Sequence, residues 1–147
     1  MGTTTFTGPV RSGNILNTTG TTVGSDVANV GYAVLAQKAQ ILQTMSTATA
    51  IPIVIPANSA IVNISSYAET DFAGGATFSL GITSAANELA TGAACAAGVS
   101  IVSASTDPQA MVWADVGTSD VQIYVRSSAT GIGVGYIIVQ YAQALNA

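Results

Sequence analysis

Val121-Gln122-Ile123-Tyr124-Val125-Arg126 alternates apolar and polar side chains one by one, and the same rhythm resumes over residues 134–143 after Ser127-Ser128-Ala129-Thr130-Gly131-Ile132-Gly133. A period of two sends successive side chains to opposite faces of an extended chain. The two runs therefore predict two strands, and the turn-forming residues between them predict a hairpin. Further upstream, Phe78, Leu80 and Ile82 share one face while Thr77, Ser79 and Gly81 share the other. Residues 60–68, 99–104 and 110–114 supply further strands, punctuated by Pro56-Ala57-Asn58, Ala73-Gly74-Gly75 and Gly117-Thr118-Ser119-Asp120. Residues 51–55 contain Pro52 and run into Pro56, which suits only a short edge strand. Short alternating runs separated by turns predict an all-β fold, a single β-sandwich domain over 27–147.

Two segments carry competing signals. Over residues 32–45, Val34, Leu35, Lys38, Ile41, Leu42 and Met45 lie at helical spacing, but no capping box opens the run and its surroundings are strand-like. It reads as a long strand. Residues 84–90 read as a single helical turn inside a loop, capped by Thr83 or Ser84. Residues 1–26, rich in Thr, Gly and Asn, form an extended N-terminal arm; a segment of this composition becomes ordered by lying on a neighbouring subunit or on its own sheet.

Composition restricts the chemistry. The 147 residues include seven Asp/Glu, three Lys/Arg and no histidine, and charged residues make up 7% against 49% hydrophobic. Soluble domains ordinarily carry about 25% charged residues. Without histidine the chain lacks the side chain that titrates nearest neutrality and the commonest metal ligand. Mean hydropathy is +0.52. Some outer surface must then be small, neutral and apolar, which favours assembly with neighbours. A net charge of −4 with only Arg11, Lys38 and Arg126 as cations argues against a nucleic-acid surface. Prolines and asparagines interrupt the apolar run over residues 51–64, so no membrane span is expected; nor does the N-terminus carry a secretory signal or a myristoylation pattern.

Individual motifs point the same way. Gly131, Gly133 and Gly135 precede a strand rather than a helix, so they suit a hairpin or close sheet packing better than a phosphate cradle. Glu69 with Asp71, and Asp115 with Asp120, are too few and wrongly spaced for a calcium loop and read as turn formers. Cys95 stands alone among small residues and reads as a buried, unreactive thiol. The sequons at Asn17 and Asn63 are of the kind chance produces in a Ser- and Thr-rich chain. Trp113 and Tyr32, Tyr67, Tyr124, Tyr136 and Tyr141 could form a ligand-stacking platform, but aromatic residues in strands more often pack on sheet faces. No catalytic residue, cofactor or metal ligand is expected. Tyr124 and Arg126, opposite Val121, Ile123 and Val125, are the best exposed candidates for contact with another chain.

Taken in order, residues 5–13 (Thr5-Phe6-Thr7-Gly8-Pro9-Val10-Arg11-Ser12-Gly13), residues 32–37, Ile55-Pro56-Ala57-Asn58-Ser59 and residues 115–121 together resemble the small all-β structural proteins of tailed bacteriophages, particularly marine podovirus-like phages. That resemblance implies a jelly-roll-like sandwich that decorates or cements a capsid, docks on the major capsid protein or other virion proteins, and has no catalytic residues. It implies synthesis in the host cytoplasm and residence on the capsid surface, as a homo-oligomer for which a trimer suits a decoration role. Within the arm, Phe6, Pro9, Val10 and Arg11 are the expected contact residues, since ordering an arm costs about 1–2 kcal/mol per residue and apolar burial must recover it. The rival expectation is a tail or head-fibre adhesin whose sandwich binds a host-surface glycan through Tyr and Trp.

Overall fold

The computed structural model describes residues 15–18, 27–29, 33–104 and 106–143. Among the described residues β1 (Ile15–Thr18) and β2 (Val27–Asn29) pair antiparallel as a two-stranded sheet, so the segment read as an extended arm contains part of a short ladder. Phe6, Pro9, Val10 and Arg11 lie outside the described residues. A compact unit spans Val34–Ala144.

Eight strands build the sandwich: β3 (Ala33–Leu42), β4 (Thr49–Ile55), β5 (Ser59–Thr70), β6 (Thr77–Gly81), β7 (Ala90–Ala94), β8 (Val99–Val102), β9 (Val121–Ser127) and β10 (Val134–Gln143). They form two four-stranded sheets, ordered β3-β10-β5-β8 and β4-β9-β6-β7. The pairing is nested, with β3 beside β10, β4 beside β9, β5 beside β8 and β6 beside β7. Between the sheets, Ile41, Ile53, Ile55, Ile64, Phe78, Leu80, Ile123, Ile137 and Val139 are wholly buried. The all-β sandwich expected from the alternating runs is what the chain adopts.

Within residues 32–45, β3 forms a strand because alternate positions Ala39 and Ile41 turn inward while Lys38 and Gln40 turn out, and Gln43, in the turn that follows, is buried in the same phase. Pro52 is accommodated because β4 is an edge strand. Three local expectations are corrected. Residues 121–127 and 134–143 are not a hairpin: β9 pairs with β4 and β6, β10 pairs with β5 and β3, and residues 128–133 cross from one sheet to the other. Residues 110–114 are not a strand but the end of helix α1 (Asp107–Ala114). Thr106 caps that helix, its hydroxyl accepting from the Gln109 N–H, with Asp107 in the first turn and Pro108 where proline is best tolerated. Residues 84–90 form a hydrogen-bonded turn rather than a helical one. Thr83 does cap it, taking the Ala85 N–H on its hydroxyl and the Ala86 N–H on its carbonyl, and Ala86 at φ 52° ends any helical course.

Gln43 is the polar exception in the interior, 1% exposed. Its Oε1 accepts the N–H groups of Ala73 (2.9 Å) and Gly133 (3.1 Å), and its Nε2 donates to the Ala73 carbonyl (2.9 Å). One side chain thereby joins the 3-10 turn Ala73–Gly75 to the crossing loop. Gly131 and Gly133 must be glycine here, because a Cβ at either would run into the Gln43 amide.

Candidate functional site

The two outer sheet faces are the surfaces on which this sandwich can act, and they differ. On the β4-β9-β6-β7 sheet, Tyr124 and Arg126 project from β9 on the face opposite buried Ile123 and Val125. Their cross-strand neighbours are small: Ala50 and Gly81 flank Tyr124, and Ser79 lies beside Arg126. Tyr124 and Arg126 thus rise among small residues, bordered at Gly81 by the turn that carries Glu88. Sequence alternation placed both residues on this face.

The outer face of the β3-β10-β5-β8 sheet carries a cluster that sequence reading did not assemble. Tyr136 on β10 sits directly across from Tyr67 on β5, and the rings stack with centroids 5.1 Å apart. The Lys38 ammonium from β3 lies 4.0 Å from the centre of the Tyr136 ring and 5.0 Å from that of Tyr67. Its pKa is raised, first by its hydrogen bond to Tyr67, which prevails over the opposing effect of desolvation, and then by charge interactions with Tyr67, Tyr136 and Glu69. Gln40 reaches the Tyr136 hydroxyl at 3.4 Å, and Asn63 donates to Gln140 at 3.3 Å. Tyr67 is also paired with Val99 on β8, so the row runs across the whole sheet into exposed apolar side chains, Val99 and Ile101. The signal was present as outward-facing Tyr67, Tyr136 and Lys38, but the register that aligns them spans long stretches of chain.

The aromatic platform considered from sequence is not brought together. Among the described aromatics, Tyr67 and Tyr136 occupy one outer face and Tyr124 the other. Tyr141 is buried and takes a hydrogen bond from Gln37 at 2.9 Å, and Trp113 is half-buried with its indole N–H on the Leu89 carbonyl at 2.9 Å. Tyr32 lies outside the described residues.

Two loop aspartates serve the backbone. Asp115 accepts from the Gly117 N–H (2.8 Å) and Asp120 from the Ala57 N–H (2.9 Å), fixing the loops around left-handed Asn58 and Gly117. No group of three or more Cys, Asp or Glu among the described residues could hold a metal ion. Cys95 is buried, and burial, with a smaller contribution from the Asp71 charge, pushes its thiol up to about 11. A cleft of about 360 Å³ opens between Asn87, Glu88 and Thr91 on one side and Thr106, Pro108, Gln109 and Val112 on the other. Burial raises the Glu88 pKa, but hydrogen bonds from the Thr83 hydroxyl and nearby backbone N–H groups outweigh it and hold the carboxyl below its usual range. Glu88 thus braces the turn over Gly81, where a Cβ would strike the backbone of Ala86 and Asn87 at 2.7 Å. No described helix is long and apolar enough to cross a membrane.

No family model matches the sequence, and no curated protein matches it. Among solved structures, a chain described as the capsid of Ralstonia phage GP4 superposes with a TM-score of 0.54 at 21% identity, covering 78% of this chain and 86% of that one. The two share a fold.

Proposed function

We propose that this chain is a non-enzymatic structural protein of a bacteriophage virion, acting as a capsid decoration or cement protein that docks on the head shell. The observation carrying this reading is the fold match to a phage capsid chain over most of both lengths. The nested pairing of the eight strands supports a jelly-roll reading of the sandwich, an architecture used in viral capsid domains. Charge supports the reading too, since few ions protect the outer faces from association. On this view function is free energy of assembly, with neighbours covering neutral surface.

Its contacts are the arm residues Phe6, Pro9, Val10 and Arg11 together with Tyr124 and Arg126, and its partners are the major capsid protein or other virion proteins. The chain acts as a homo-oligomer, with a trimer the first arrangement to seek. Particles are tested by adding chain lacking residues 1–13, and separately the Arg126→Ala variant, to shells stripped of the protein. The expected result is reduced occupancy for each and shells that rupture at lower temperature. Undiminished occupancy of both variants would remove these residues from the interface. The adhesin alternative predicts saturable binding on a glycan array, which the decoration reading does not.

A further inference from the structure

Among the described strands each sheet ends in two edges, β3 and β8 in one and β4 and β7 in the other. An edge strand presents unpaired backbone groups, and proteins that remain single blunt such edges with proline, charge or distortion. β4 carries Pro52, and the Gln37 side chain occupies its Val54 backbone, accepting the N–H at 3.1 Å and donating to the carbonyl at 2.6 Å. β3 carries the Lys38 charge. β7 contains Gly92 at φ 67° and shifts register against β6. β8 has none of these. It pairs with β5 in unbroken register and has neither proline nor charge. Val99 and Ile101 stand 74% and 75% exposed on its outer side.

We propose that β8 pairs edge to edge with β8 of a second copy, antiparallel about a two-fold axis, joining two four-stranded sheets into one of eight. Charge selects a second copy as the occupant. A two-fold contact sets a patch against itself, so a patch of one sign repels its copy whereas a neutral patch does not. Residues 89–106 contain no charged residue, although the whole chain carries a net charge of −4. Parity narrows the register, and apolar contact selects the one that opposes both exposed side chains, Val99 and Ile101. Outer residues must oppose outer residues for the faces to continue, so Val99 lies opposite Ile101 of the second copy and Ser100 opposite Ser100. Four apolar side chains then meet on the outer face, beside Tyr67, which neighbours Val99.

A four-residue strand buries less than the roughly 1,000 Å² of a stable interface, so the contact is weak in dilute solution and gains strength where other contacts already hold copies side by side. It is two-fold, and with a trimer it serves as a link between trimers. It does not rest on the virion reading, because it is tested on the purified chain. Full-length Ser100→Cys, in a Cys95→Ala background, is oxidised with copper phenanthroline. Opposed Cα atoms in an antiparallel pair lie about 4.5–5.5 Å apart, within disulfide range. The result expected is a covalent dimer for Ser100→Cys and little for Ser103→Cys, whose copies lie roughly 20 Å apart in this register. Adding Ile101→Lys should slow cross-linking of Ser100→Cys by about tenfold, with thermal unfolding unchanged because the side chain is exposed. Equal cross-linking at both positions, or a Ser100→Cys chain that stays monomeric, would overturn the proposal. So would cross-linking of Ser100→Cys that is seen only after residues 1–32 are deleted, which would make the arm the occupant.

Discussion

Replacing Gln43 by leucine tests whether one buried amide holds the end of the sandwich together. The substitution keeps much of the volume and removes three hydrogen bonds, two at 2.9 Å and one at 3.1 Å. Each such bond contributes about 1 kcal/mol net. The stranded Gly133 N–H adds a desolvation penalty of about 1–2 kcal/mol, whereas the groups of exposed Ala73 can turn to water. The gain from a buried leucine offsets part of this, leaving a loss of about 3–4 kcal/mol. For a domain of this size that is roughly a 10 °C fall in melting temperature, read by circular dichroism. Gln40→Leu, nearby on β3 but exposed, serves as the control and should shift by less than about 2 °C. If Gln43→Leu melted with the control, the inference that this side chain ties the 3-10 turn to the crossing loop would be wrong.

Three further outcomes are expected. Thr106→Val should cost about 1 kcal/mol by removing the cap on the Gln109 N–H, and a melting curve superimposable on the parent would deny the cap its role. Gly135→Ala places a methyl group against the Cys95 sulfur and 2.9 Å from the Tyr67 carbonyl; it should destabilise by about 1–3 kcal/mol, and combining it with Cys95→Ala should recover part of that loss, so strict additivity would refute the contact. Cys95 should resist a thiol reagent at pH 8 until the chain unfolds, and rapid native labelling would contradict its burial. Because its folded pKa of about 11 lies above the ordinary 9.0, its contribution to stability is complete below pH 9 and is lost as pH rises from 9 towards 11.

The sandwich was legible wherever one face is buried and the other is not, as at Ile123 and Val125 against Tyr124 and Arg126. Strand partners were not legible, since alternation within β9 and β10 is the same whether they pair with each other or, as here, with strands from distant parts of the chain. Helix α1 was missed because Met111, Val112 and Trp113 are consecutive and define no stripe, and Met111 is largely exposed. Its start was nonetheless written in Thr106-Asp107-Pro108, a capping signal that outweighs weak periodicity. Gln43 falls in phase with Ala39 and Ile41, so its inward direction could be read, but the backbone groups it satisfies come from two loops far away in sequence. The Lys38, Tyr67 and Tyr136 cluster was hidden for the same reason, since it exists only once β3, β10 and β5 are laid side by side.

A virion role is tested most directly by counting this chain in purified, intact particles by quantitative mass spectrometry against the major capsid protein. A decoration protein of the shell should be present in hundreds of copies, in a fixed ratio set by capsid symmetry. A dozen copies or fewer would move it to a vertex or the tail, and its absence from washed particles would show that the chain is not a structural component at all.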